Sequence, residues 1–206
     1  MFLKGLILGF SVAAPVGPIG LLCIQRTLGR GRLHGFVSGL GAATADTLYG
    51  LVAALGLTAV TTALLGVQAW LQLAGGIFLI WLGLRTMLAN PKNAGVAGPD
   101  DRTRLVPAYL SILALTLANP ATILSFVAVF SRLGIGAPGG GAGPAVALVA
   151  GVFLGSAAWW LLLSFLAGIF RDRINNAGLR AVNLLAGLSI IALGIWSLTP
   201  VIRASF

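Results

Sequence analysis

Six stretches of this chain, residues 2–24, 34–61, 67–89, 106–130, 144–170 and 179–202, are long apolar runs with few or no charges. A helix needs about 20 such residues to cross the hydrocarbon of a bilayer. Within hydrocarbon, backbone N–H and C=O groups must find partners in the protein, and a helix supplies them along its own length. The runs therefore predict an all-α integral membrane protein with six transmembrane helices. The second and fifth are long enough to tilt. Composition agrees: 58% of the 206 residues are hydrophobic and 8% are charged, against about 25% charged in soluble domains. The first run lacks a short apolar core followed by a small-residue cleavage site, so it reads as a spanning helix and not a signal peptide.

The charges lie between the runs. Arg26, Arg30 and Arg32 follow the first, and Arg85, Lys92, Arg102 and Arg104 surround the connection between third and fourth. Arg171, Arg173 and Arg180 surround the connection between fifth and sixth, leaving Lys4, Arg132 and Arg203 for the opposite side. The positive-inside rule puts the ten-residue group in the cytoplasm and both termini outside. The net charge of +9 is thus topological, and no nucleic-acid partner is expected. Residues 90–107 form a polar cytoplasmic hinge, and the uncharged Gly/Pro-rich run 134–144 a loop.

That hinge divides a single transporter domain, 1–206, into repeat one, 1–89, and repeat two, 108–206. At an offset of 111 residues, Gly76, Ile80, Leu82 and Gly83 of the third run match Gly187, Ile191, Leu193 and Gly194 of the sixth. Pro15 and Pro120 match at an offset of 105. Three spans per repeat is an odd number, so the halves enter the membrane from opposite sides. The expected architecture is an inverted 3+3 repeat, which supports alternating access. Glycines also let helices approach closely, and the glycine-rich third and sixth runs offer a surface for a homodimer.

Two runs are interrupted. Pro15, Gly17 and Pro18 sit midway along the first, and Asn119 and Pro120 along the fourth. A proline removes a backbone donor and crowds the carbonyl four residues back. Such breaks belong where protein or a water-filled cavity meets the freed groups, and corresponding breaks in two halves mark a transport site. A helix restarting at Pro18 presents N–H groups and partial positive charge suited to a substrate carboxylate. A plain kink is the alternative. Asn119 offers an amide to a substrate or to the carbonyls freed by Pro120.

Asp46, about twelve residues into the second run, is the acidic residue within the spans. At 1.5 Å per residue it lies near the bilayer midplane. Carboxyl groups there are costly and usually serve ion or proton pathways; tying helices together by a hydrogen bond is the structural alternative. Trp159 and Trp160 also lie mid-span, and Trp159 is taken as a cavity-lining candidate. Gln25 and Arg26 could gate the cytoplasmic end, though Arg26, Arg30 and Arg32 read first as topology anchors. Cys23 reads as a small apolar filler and His34 as an interfacial residue. One cysteine and one histidine exclude a disulfide, a dithiol pair and a histidine metal cluster, so no metal and no cofactor are expected.

The Pro15-Val-Gly-Pro18 segment, the Gly39-x-Gly41-x-x-x-x-Asp46 pattern and the Leu117-Ala-Asn-Pro120 segment together resemble the lysine exporter (LysE/RhtB) family. Length, six spans and the 3+3 repeat fit, so the resemblance covers nearly the whole chain. It implies a bacterial inner-membrane exporter of amino acids or their derivatives, driven by the proton-motive force. It singles out Pro15, Gly17, Pro18, Asp46, Asn119 and Pro120. With one acid in the spans, a neutral amino acid or related small metabolite is expected over a cationic one. A divalent metal exporter of similar build needs more acidic, Cys or His ligands. A thiol electron carrier needs a second cysteine. A non-transport membrane scaffold remains as an alternative, and the absence of a catalytic triad or nucleotide loop argues against an enzyme.

Overall fold

A computed structural model describes residues 1–15, 17–54, 68–89, 105–117, 119, 122, 126 and 142–204. Among the described residues there are seven α-helices and no strand. They are α1 (Phe2–Ala13), α2 (Pro18–Arg30), α3 (Arg32–Ala54), α4 (Gln68–Met87), α5 (Leu105–Leu117), α6 (Ala142–Ile169) and α7 (Asn176–Ala204). A 3₁₀ turn, Arg171–Arg173, follows α6. By length and composition Gly143–Ile169 and Asn176–Thr199 can each cross a membrane, and α1 and α2 pass the same test only taken together, as a pair bent by 81°. Gln72–Met87 and Leu105–Leu117 are shorter apolar helices. The expected second and fourth spans run on into 55–61 and 127–130, and most of the expected hinge, 90–104, also lies outside the described residues.

Helix ends follow local chemistry. Pro18 opens α2 at its first position, where its missing N–H costs nothing. Pro107 likewise sits in the first turn of α5, so this helix begins inside the expected hinge. Gly31 ends α2 with φ of +97°, and its N–H donates to the Thr27 carbonyl at 2.8 Å. A side chain would strain this left-handed residue, which lets α3 begin at once. Asn175 caps α7, its Oδ1 accepting the Gly178 N–H at 2.8 Å. α2 extends to Arg30, six residues past the expected end of the first span, because a basic residue on an interior helix face need not end the helix.

Among the described residues, large apolar side chains face outward, and polar ones are buried beside an apolar core. Leu154, Leu161, Phe165 and Ile169 of α6, Ile77 and Trp81 of α4, and Leu188, Ile195 and Trp196 of α7 are exposed. Ser38, Asp46, Thr116, Asn119, Ser156 and Ser197 are buried. A bilayer accounts for this arrangement, since lipid tails cover the apolar faces while polar groups seek partners within the bundle.

Packing rests on close backbone approach. In the α1–α6 contact, a Cβ on Gly5 or Gly9 would collide with the Leu148 or Val152 carbonyl. One on Gly151 or Gly155 would meet the Phe2 or Leu6 carbonyl. Both helices carry the small-x-x-x-small spacing, and the matched contacts rise together along both, so they run parallel. α3 and α5 are also parallel: Gly41 faces Tyr109 and Leu113, and Tyr49 reaches Leu117. α4 and α7 are antiparallel. Gly76 faces the Gly194 carbonyl and Gly83 the Gly187 carbonyl, and each relation is returned from the other side. The offset joining these glycines in sequence also joins Gln72 to Asn183 and Thr86 to Ser197, all four buried. Asn183 Nδ2 donates to the Ala89 carbonyl at 3.2 Å and Ser197 Oγ to the Gln72 carbonyl at 3.3 Å. The glycines that the sequence offers as a dimer surface are therefore used between α4 and α7.

Gly83→Val should disrupt this contact, because its Cβ would lie 2.7 Å from the Gly187 carbonyl oxygen and 2.6 Å from Ile191. Overpacking of this kind costs about 1–3 kcal/mol. Thermal unfolding in detergent should show a clear fall in Tm, while Gly143→Ala, with nothing within 4 Å of the added carbon, should leave it in place.

Candidate functional site

The two interrupted helices flank one seam. α1 packs on α6, α6 on α3, and α3 on α5, so the α3–α6 seam lies between the helix that ends before Pro15 and the helix that ends before Pro120. α1 stops at Ala13, and α2 leaves at 81° to it. Pro15 is exposed in the turn. The Gly17 N–H donates to the Pro15 carbonyl at 2.9 Å. Gly17 is the N-cap of α2 in an extended conformation, no side chain caps the helix, and the space beside its Cα is open. The chain thus makes two helices here instead of one kinked span.

At the other break the freed carbonyls have identifiable partners. The Asn119 N–H donates to the Thr116 carbonyl at 3.2 Å, and the Tyr49 hydroxyl donates to the Leu117 carbonyl at 2.6 Å. Asn119 is buried, and its carbonyl accepts the Thr122 N–H at 3.1 Å. Pro120 lies outside the described residues. A second contact, Tyr109 Oη to Thr44 Oγ1 at 2.8 Å, holds α5 to α3.

Within the seam, Ser156 Oγ donates to Asp46 Oδ2 at 2.7 Å, and Trp160 Nε1 donates to Ser156 Oγ at 3.2 Å. Asp46 and Ser156 are 4% and 0% exposed. This chain of donors aims at the carboxylate. The bond joins α6 to α3 at this point. A carboxyl in this position can hold a proton or accept a donor from a ligand. The neighbouring Trp159 points elsewhere: its ring meets Phe10 of α1 edge-on at 5.4 Å, and its buried Nε1 has no hydrogen-bond partner among the described residues.

The structure therefore brings Asp46 and the break after α5 together through Tyr49, and Trp159 and the helix before Pro15 together through Phe10. It does not bring Trp159 to Asp46; Trp160 takes that place. Ser156, Trp160 and Tyr49 belong to the site in addition to the residues singled out by sequence. A signal for Ser156 and Trp160 was present, since residues four apart share a helix face and a serine within an apolar run needs a partner. Three basic residues have defined surroundings. Arg26 is tied into the bundle by three hydrogen bonds. His34 is 4% exposed, and Arg32 covers the Phe165 ring at 4.8 Å. Cys23 is buried in the core, as a small apolar filler would be. Among the described residues there is no group of three or more His, Cys, Asp or Glu side chains.

Tyr49→Phe should leave the Leu117 carbonyl without its donor. The expected cost is about 1 kcal/mol, read as a lowered Tm. Protease sensitivity should rise at the end of α5 before it rises elsewhere.

Known proteins resemble this chain over most of its length. The sequence profile described as LysE type translocator matches residues 10–199. "Putative amino acid efflux protein YcgF" of Bacillus subtilis is 28% identical over 197 residues, covering 95% of this chain and 94% of that protein. The threonine efflux protein of Escherichia coli K12 is 26% identical over 118 residues, 56% of this chain and 57% of that protein. The uncharacterized membrane protein YahN of the same strain is 28% identical over 113 residues, 52% and 49% of the two chains. No solved structure gives a significant match. The chain belongs to the LysE type translocator family and is a multi-pass membrane protein.

Proposed function

We propose that this protein is a secondary transporter of the bacterial inner membrane that exports amino acids or related small metabolites, driven by the proton-motive force through Asp46. The observation that carries the reading is the position of Asp46: a buried carboxyl, bonded to Ser156, in a seam flanked by two helices that break. Helix breaks supply free backbone groups for a ligand, and a buried acid supplies a site for the coupling proton. The open N-terminus of α2 at Gly17 and Pro18 receives the substrate carboxylate, with Pro15 shaping the turn. Trp159, Asn119 and Pro120 line the path. The names of the Bacillus and Escherichia relatives support amino acids as the substrate class.

The pairing of helices supports an inverted 3+3 repeat. The parallel pair α1–α6 has its counterpart in the parallel pair α5–α3, and α4–α7 is self-complementary and antiparallel. Two halves of opposite orientation give two related end states, one open to each side. The distribution of arginines supports a periplasmic location for both termini.

Inverted vesicles carrying the protein should accumulate a labelled amino acid when energised, and a protonophore should abolish the accumulation. Asp46→Asn should reduce it to the level of empty vesicles while the purified variant keeps its Tm. Ser156→Ala should weaken transport without abolishing it. Gradient-driven uptake by Asp46→Asn would remove Asp46 from the coupling step. Failure of every amino acid to accumulate would remove the substrate class.

A further inference from the structure

Arg26 offers a binding edge that the fold does not use. Its Nη1 donates to Ser38 Oγ at 2.9 Å on α3 and to the Ala108 carbonyl at 2.8 Å on α5, and its Nη2 donates to Ser111 Oγ at 2.8 Å. Ser111 Oγ also donates to the Ala108 carbonyl at 2.9 Å, so α5 meets the guanidinium end-on. A guanidinium has five N–H donors in a rigid fork and a permanent positive charge. Three donors are taken, all by neutral acceptors. The Nε–H has no partner among the described residues, and Nη2, which makes one bond, carries a second N–H. That pair has the spacing of the two oxygens of a carboxylate.

Among the described residues no carboxylate meets this charge. Asp46 is the acidic group whose side chain is described, and it is engaged by Ser156, about 12 Å along α3 from Ser38. Arg30, one turn beyond Arg26 on α2, adds a second positive charge on the same side of the helix. An arginine held inside a bundle without a counter-ion is costly and favours an anionic ligand. If holding helices together were its whole role, the neutral acceptors would not need a cation.

We propose that the free edge of Arg26 docks the carboxylate of the transported substrate at the cytoplasmic end of the pathway, about 12 Å along α2 from the helix start at Pro18. This rests on the export reading and adds a separate station to it. The substrate class is narrowed to molecules with a carboxylate. The amino group and side chain are read elsewhere.

The test uses the whole protein, purified in detergent. Its thermal unfolding is followed with each of the common L-amino acids and with the matching amino-acid amides, in which a neutral carboxamide replaces the carboxylate. At least one amino acid should raise Tm, and its amide should not. Arg26→Gln should lose the shift, Arg26→Lys should keep part of it, and Ser111→Ala, which leaves the docking edge intact, should keep it. A shift given equally by the amide, a shift retained in Arg26→Gln, or no shift with any amino acid overturns the proposal. Should Arg26→Gln not fold, wild-type protein is treated with phenylglyoxal and modification of Arg26 is read by mass spectrometry. Protection by the stabilising amino acid supports docking. Unchanged modification, or none in ligand-free protein, overturns it. Vesicle accumulation separates the two readings: with export present and these results negative, only the Arg26 station falls.

Discussion

Close approach of backbones at glycine holds this protein together. In lipid there is little hydrophobic gain in pressing one apolar helix on another, so association depends on packing and on hydrogen bonds between helices. Gly5 and Gly9 against Gly151 and Gly155, and Gly76 and Gly83 against Gly187 and Gly194, bring carbonyl oxygens of one helix onto the other's Cα surface. The remaining contacts are built around these two pairs. α3 meets α6 through a side chain, with Trp160 lying over Gly39, and α5 through backbone, with the Tyr109 carbonyl over Gly41. A seam packed by side chains can take up a change of arrangement that a backbone-to-backbone seam cannot. It is also the seam that contains Asp46.

The breaks show how the cost of interruption is offset. After α5 the carbonyls freed near Pro120 are met by the Asn119 N–H and the Tyr49 hydroxyl. After α1 the chain turns sharply, and the new helix begins without a side-chain cap. The two interruptions are alike in sequence and unlike in satisfaction: one is closed by protein groups, the other is left open.

Much of this was legible in the residues. Apolar run length gave the helices, Pro15, Pro18 and Pro120 gave the breaks, and an acid alone among apolar residues made Asp46 conspicuous. The matched glycines of the third and sixth runs were legible as a repeat, though their antiparallel contact was not, since spacing says nothing about which helix lies opposite. Other residues were ambiguous for definite reasons. Trp159 and Trp160 are adjacent and about 100° apart on the helix, and only the position of α3 decides which faces Asp46. Ser156 follows Gly155 and looks like another small packing residue. Arg26 follows an apolar run, and hydropathy puts the membrane boundary there although the helix and the bundle continue.

The α1–α6 contact has a mechanical consequence. Gly155, pressed on the Leu6 carbonyl, is next in sequence to Ser156, whose hydroxyl holds Asp46. Helices locked backbone to backbone move as one body, so a displacement of α1 beside the Pro15 turn is carried along α6 as by a rigid lever. Its load arm ends on the oxygen that touches the carboxylate. Ligand-dependent movement at the turn and the length of the bond to Asp46 are then two readings of a single coordinate.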